Sequence, residues 1–362
     1  PMAHSAPPAA AAVPSSTASE ALPPPRPATI ALASGKGDPG DADLAAGDEA
    51  FGRGDLAAAA KSYAAARAAS PKGMAAAVGL ARVRIARVDV PLDYAAAKGN
   101  AAIAAAATEL ARAVKEAPGF GPASVELGRA RLLLGDAPGA IDALKRGVDL
   151  LPDEPEAHSQ LGVAWLATGH ADQAVRELAR AVELDPGSGA RHGNLGTALL
   201  MTGRTKEAIA QYELHARIDD EDARAHSDLG TALLATNDLE RAIGELTRAT
   251  ALDPGRATFH SNLGYCLQQG GLPDRAVEQY RQAILIDPGL ASAWINLATV
   301  LARNPKTRGE ARAALARAAA ASPDDPRVKA NIEELNALEK GPAAPPSAAS
   351  SSGPVREFPP SP

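Results

Sequence analysis

Residues 155–169 read PEAHSQLGVAWLATG, and the phrase returns as ARHGNLGTALLMTG at 190–203, RAHSDLGTALLATN at 224–237 and TFHSNLGYCLQQGG at 258–271. The register never slips. Leu161, Leu195, Leu229 and Leu263 stand 34 residues apart, each followed by a glycine. Ala174, Ala208, Ala242 and Ala276 keep the same period, as do Leu178, Tyr212, Leu246 and Tyr280. Three copies close on Asp-Pro, at Pro186, Pro254 and Pro288, and Asp220 stands in the proline's place in the other. A fixed period in this range marks a stack of small units, none of which can bury its apolar face alone.

Working outward, residues 121–154 carry the same pattern through Leu127, Gly128, Gly135, Ala140, Leu144 and Pro152. Residues 291–325 carry it again, with a turn, NPKTRGE, that delays Ala311, Leu315, Ala318 and Pro323 by one position. Two degenerate units are expected upstream. One spans 40–73 (Gly47, Ala59, Tyr63, Pro71), and one spans 74–120, where 88–100 interrupts two helices and should form a loop. Beyond the last unit, Asp325 caps and Pro326 opens a helix over 326–340, with Val328, Ile332 and Leu335 on one face. A half-polar terminal helix is what the open end of a stack requires. Residues 1–39 and 341–362 are rich in alanine, proline and serine, and composition predicts disorder there.

Over its 362 residues the chain is 46% hydrophobic, with alanine dominant and only 3% aromatic, which suits close helix–helix contact. A formal net charge of −6 argues against nonspecific nucleic-acid binding, which needs a basic surface. Cys266 stands alone, excluding an internal disulfide framework and a cysteine-based metal cluster. No stretch reaches the roughly 18 apolar residues that span a bilayer. The sequence starts at Pro1 rather than a methionine, so a segment upstream is expected to be missing or removed. Localisation stays open between the cytoplasm and, given a removed signal, export to the periplasm.

Three motifs resolve into plainer readings. Gly35, Gly37 and Gly40 spell G-x-G-x-x-G, but Pro39 removes an amide and no strand–helix–strand unit follows, so a linker is expected rather than a dinucleotide site. Arg53-Gly54-Asp55 falls where two helices should turn. His158, His192, His226 and His260 recur at the repeat period. Successive units lie about 10 Å apart and a zinc–nitrogen bond is about 2 Å, so these rings are read as packing residues. No metal and no cofactor are expected.

The pattern of a bulky residue, Leu-Gly, a second bulky residue, then Ala-x3-Leu/Tyr and a closing proline resembles the tetratricopeptide repeat, over about 40–325 and most closely over 121–325. The family's aromatic at the fourth position is kept only in Trp294. The resemblance implies an all-α, right-handed superhelical solenoid of about eight helix-turn-helix repeats plus a C-terminal capping helix. It also implies a concave groove lined by the first helix of each unit, where relatives bind peptide termini or extended backbones through an asparagine at the sixth position. Here that position reads Glu126, Gln160, Asn194, Asp228, Asn262 and Asn296, and three residues on stand Arg129, Val163, Thr197, Thr231, Tyr265 and Thr299. The expected groove residues are therefore Asn194, Thr197, Asp228, Thr231, Asn262, Tyr265, Asn296 and Thr299, with Arg303 a turn further. An amide both donates and accepts, so it can pair with a backbone of any sequence. The expected activity is a non-catalytic scaffold for a protein or extended peptide, monomeric or weakly self-associating. The alternatives are a structural subunit of an envelope or secretion assembly, or the repeat module of a larger enzyme.

Overall fold

The computed structural model describes residues 29–35, 37–88 and 94–340. The tail at 341–362, most of the leader and part of the expected loop at 88–100 lie outside them. Among the described residues are seventeen α-helices and one 3-10 turn, Pro305–Thr307. They follow one another as hairpins. The first four are α1 (Asp41–Gly52) with α2 (Leu56–Ala69), α3 (Met74–Ala86) with α4 (Ala101–Glu116), α5 (Gly121–Leu134) with α6 (Ala137–Leu150), and α7 (Pro155–Ala167) with α8 (Ala171–Leu184). Then come α9 (Gly189–Met201) with α10 (Thr205–Ile218), α11 (Ala223–Ala235) with α12 (Leu239–Leu252), α13 (Ala257–Gln269) with α14 (Pro273–Ile286), and α15 (Ala291–Ala302) with α16 (Arg308–Ala321). A single helix, α17 (Pro326–Lys340), ends the series. The chain divides into two compact units, one up to Glu245 and one from Leu246, the division falling within α12.

One contact recurs where these hairpins close, although Ala298 stands at the glycine's position in α15. A Cβ on Gly128 would lie 2.3 Å from Leu144 Cγ, and one on Gly162 would lie 2.4 Å from Leu178 Cγ. At Gly196 and Gly264 the intruding atom would be a ring carbon of Tyr212 or Tyr280, at 2.8 and 2.7 Å. The glycine is thus a socket and the second helix supplies the plug, while Ala174, Ala208 and Ala276 are wholly buried beside it. The turn between the two helices needs a left-handed residue, supplied by Gly169 (φ 75°), Gly203 (φ 76°), Gly271 (φ 74°) and Asn237 (φ 61°).

In the first unit, helices from α1 through α11 pack each on the next, and first helices also touch first helices, α1 on α3 and α3 on α5. The described part of the loop before α4 is bonded to the helix beside it. The amides of Ala95 and Ala97 donate to the carbonyls of Leu132 and Leu133 at 2.9 Å, and the Tyr94 hydroxyl donates to the Gly135 carbonyl. These carbonyls lie at the end of α5, where intrahelical donors run out. In the second unit α17 packs on both α15 and α16, burying Val328 and Leu335 as the apolar face predicts, with Ile332 partly covered.

Residues 29–35 differ from the disorder expected of the leader. Ile30 and Leu32 are only 4% and 3% exposed, with Ala31 turned outward between them. The composition of 1–39 as a whole is poor in bulky apolar residues, but this short run alternates, and alternation suffices to bury an extended segment against a preformed surface.

Candidate functional site

In the first unit the face built from first helices is charged and internally bonded. Arg82 of α3 is 1% exposed, its Nε 2.7 Å from Glu126 Oε1 and its Nη1 3.3 Å from Asp48 Oδ1. Burial alone would lower its pKa, yet Glu126 and the other groups around it raise it, so the guanidinium is fully charged. The Tyr63 hydroxyl donates to the same Asp48 oxygen at 2.8 Å. A second buried cation, Arg191 of α9, reaches Glu156 Oε2 at 3.2 Å, Asp185 Oδ2 at 3.1 Å and Ser188 Oγ at 3.1 Å. Gln160 donates to Glu156 at 2.8 Å. Glu126 and Gln160, the first two members of the expected ladder, are therefore engaged by the protein itself.

The ladder opens beyond them. Among the described residues the side chain of Asn194 has no hydrogen-bond partner, and it is half-buried. Thr197 donates to its own helix at Gly193 O (3.1 Å) and lies 3.1 Å from the Tyr212 hydroxyl. Asp228 sits 3.7 Å from Arg224, and burial pushes its carboxyl up to about 6. Thr231 is exposed, its hydroxyl donating to Ser227 O at 2.8 Å.

The second unit holds two more amides in this register. Asn262 and Asn296 are half-buried and, among the described residues, lack side-chain partners. Tyr265 is 42% exposed, one turn on from Asn262. Arg303, at the end of α15, is exposed and likewise without a side-chain partner among the described residues. Thr299 is different. Its hydroxyl lies 2.9 Å from Ile295 O and 2.8 Å from Asn331 Oδ1 of α17, so the terminal helix covers that rung.

The recurring histidines have a shared task that sequence spacing did not disclose. In each, Nε2 meets a carbonyl of the preceding loop, at Pro152, Pro186, Asp220 or Pro254, at 3.0–3.1 Å. Trp294 makes the same bond to the Pro288 carbonyl at 2.9 Å, so histidine here does the work of the family's aromatic. The other ring nitrogen meets Glu177, Gln211, Glu245 or Gln279 nineteen residues ahead. Both nitrogens are thus used by the protein. Among the described residues no group of three or more His, Cys, Asp or Glu is arranged to hold a metal ion, and no helix is long and apolar enough to cross a membrane.

The glycine-rich turn before α1 does cradle an anion, but one belonging to the chain. The Ser34 amide donates to Asp41 Oδ1 at 2.6 Å and the Gly37 amide to Oδ2 at 3.3 Å. The Ser34 amide chiefly holds the Asp41 carboxyl below its usual range.

No curated protein matches the chain in sequence. The fold matches solved structures. A chain of the APC/C Cut9–Hcn1 hetero-tetramer aligns with a TM-score of 0.61 at 16% identity, over 82% of this chain and 55% of that one, so this chain spans about half of its length. PilF of Pseudomonas aeruginosa aligns at 0.52 and 18% identity, over 59% of this chain and 97% of that one. YrrB, described as a tetratricopeptide repeat protein with an unusual peptide-binding site, aligns at 0.43 and 22%, over 53% of this chain and 99% of that one. At these identities the likeness is one of fold. Sequence models of the tetratricopeptide repeat match residues 92–155, 165–232, 227–291 and 267–326. They cover more than half of the chain and fall on the hairpins just described, so the chain belongs to the tetratricopeptide repeat family.

Proposed function

We propose that this chain is a non-catalytic scaffold that binds an extended segment of a partner protein along the first helices of its repeats. Tetratricopeptide repeat proteins mediate protein–protein interactions, and the finer assignment concerns where and how. The observation that carries it is the pair of unpartnered amides, Asn262 and Asn296, in the same register of consecutive repeats, with Tyr265 exposed beside the first. A half-buried amide that bonds nothing in the folded chain retains its capacity to donate and accept. The two amides hold a partner's backbone, Tyr265 supplies apolar contact and Arg303 offers a charge at the end of the same face. In the first unit Asn194, Thr197, Asp228 and Thr231 play the corresponding part. Thr299 contributes through its contact with α17 rather than to the ligand.

Peptides selected from a random displayed library against the full chain provide the ligand for the test, which is calorimetric titration of wild type and Asn262→Ala/Asn296→Ala. Each lost hydrogen bond should weaken binding by about 0.5–1.5 kcal/mol, so the double variant should bind tenfold or more weakly while its melting curve barely moves. Unchanged affinity sinks the assignment; a collapsed melting temperature makes the asparagines structural.

A further inference from the structure

Residues 30–34 are held in the way a ligand is held. Among the described residues, 30–33 make no backbone–backbone hydrogen bond. Their backbone contacts go to side chains of the first helices. Arg82 Nη2 donates to the Ile30 carbonyl at 2.9 Å. Asp48 Oδ2 accepts from the Leu32 amide at 2.6 Å and the Ala33 amide at 3.4 Å. Asp41 takes the Ser34 amide. The two buried side chains join different apolar clusters, Leu32 with Leu44, Tyr63 and Val83, Ile30 with Val125, Leu132 and Leu161.

Two residues of this site, Asp48 and Glu126, stand at ladder positions. Asp48 directly follows the socket glycine Gly47, as Thr197 and Tyr265 follow Gly196 and Gly264. Glu126, which orients Arg82, stands two residues before Gly128, as Asn194 and Asn262 stand before their glycines. The segment is tethered to α1 by a short stretch in which Gly35, Gly37 and Gly40 all have positive φ. Its grip is by side chains on a backbone, which reads the main chain, plus two apolar side chains that set the sequence.

We propose that the face formed by α1, α3 and α5 is a peptide-binding site in its own right. Its ligands are extended segments with two branched apolar side chains two residues apart, and Thr29–Ser34 fills it in cis as the competitor that a partner segment displaces. The site uses none of the residues assigned to the partner amides and is tested apart from them.

The probe is a fluorescein-labelled peptide of residues 27–35 (PATIALASG), titrated by anisotropy into the full chain and into Ile30→Asp/Leu32→Asp, whose own segment should leave the face. The opened variant should bind the peptide at least tenfold more tightly than wild type. Adding Asn262→Ala/Asn296→Ala to it should change nothing, which separates this site from the amide pair. A folded variant, by circular dichroism, that binds no better than wild type overturns the proposal. So does a wild-type dimer that the variant loses in light scattering, because the segment would then be exchanged between copies. Should the variant fail to fold, hydrogen exchange of wild type decides. A Leu32 amide that exchanges faster than the amides of α3 marks a segment that leaves a folded face. One that exchanges no faster belongs to the core, and the proposal fails.

Discussion

The first three repeats and the second unit solve the same surface problem in opposite ways. Around α1, α3 and α5 the ladder register carries ions, Asp48 and Glu126, and both are bonded to Arg82 in a site that is almost closed to solvent. Around α13 and α15 it carries Asn262 and Asn296, neutral and unbonded. The contrast recurs within the hairpins, where His158 meets Glu177 in the first unit and His260 meets Gln279 in the second. It is a tendency with exceptions, since Asn194 and the His192–Gln211 pair place amides in the first unit. A buried charge must be paired within the fold or it destabilises it, whereas a half-exposed amide can remain without a protein partner at little cost. Ions therefore accompany the part of the face that is already filled, and amides the part that is open.

The largest effect should come from removing the cation that organises the filled face. Arg82→Ala leaves Glu126 and Asp48 buried without their partner, and urea unfolding should register a loss of about 3–5 kcal/mol. Asn262→Ala/Asn296→Ala should move the same curve by less than about 0.5 kcal/mol. Equal losses would erase the distinction between the two faces. The apolar cores beneath them should be alike. Leu127→Ala and Leu263→Ala, each a buried leucine beside its socket glycine, should each cost roughly 2–5 kcal/mol. A strongly unequal pair would move the difference from the surface to the packing.

The histidine pairs give a smaller and pH-dependent version. A carboxylate only accepts, so with Nε2 donating to the Pro152 carbonyl, His158 must be protonated on both nitrogens to satisfy Glu177. Burial alone would lower its pKa, but the Glu177 bond outweighs this and raises it. Its stabilisation is thus complete below the unfolded histidine value and lost as pH rises through the folded one. The melting temperature should fall between pH 5.5 and 8.5, and Glu177→Gln should remove roughly 2 °C of that fall. An unaltered slope would show that the acid at 177 behaves as an amide. Smallest of all is Asp228, whose carboxyl burial raises to about 6. The folded state prefers its proton, so stability falls as pH rises from the unfolded value to about 6. Asp228→Asn should therefore stabilise slightly above pH 6 and be neutral near pH 4. Partial exposure keeps the shift within about 1 °C. A destabilised asparagine variant at pH 7 would mean that the Arg224 contact governs this rung.

What could be read from the sequence divides along the same line. The hairpins were legible because Leu-Gly, the small alanine and the Leu/Tyr plug are local, repeated and apolar, so four copies corroborate one another. The lengthened NPKTRGE turn correctly signalled an irregularity, which is the 3-10 turn at Pro305–Thr307. The filled face was not legible. Arg82 pairs with Glu126 across 44 residues and with Ile30 across 52, and neither contact repeats among the described residues. The only local hints were a charge where its helix wanted a bulky apolar residue, and the in–out alternation of Ile30-Ala31-Leu32. The histidines were placed rightly as packing residues, but their partners nineteen positions on follow only from the geometry of the hairpin.

The glycine socket has a consequence for how such a chain changes length. Its plug is interchangeable, leucine at 144 and 178 and tyrosine at 212 and 280, while the socket leaves no room for even a methyl group. Because the socket and plug at Gly128, Gly162, Gly196 and Gly264 each lie within one hairpin, removal or duplication of a whole repeat such as 189–222 keeps every glycine with its own plug. Half a repeat would part a socket from its plug. The fold thus offers heredity a natural quantum of growth, so that its reach can be lengthened or shortened without redesigning any joint.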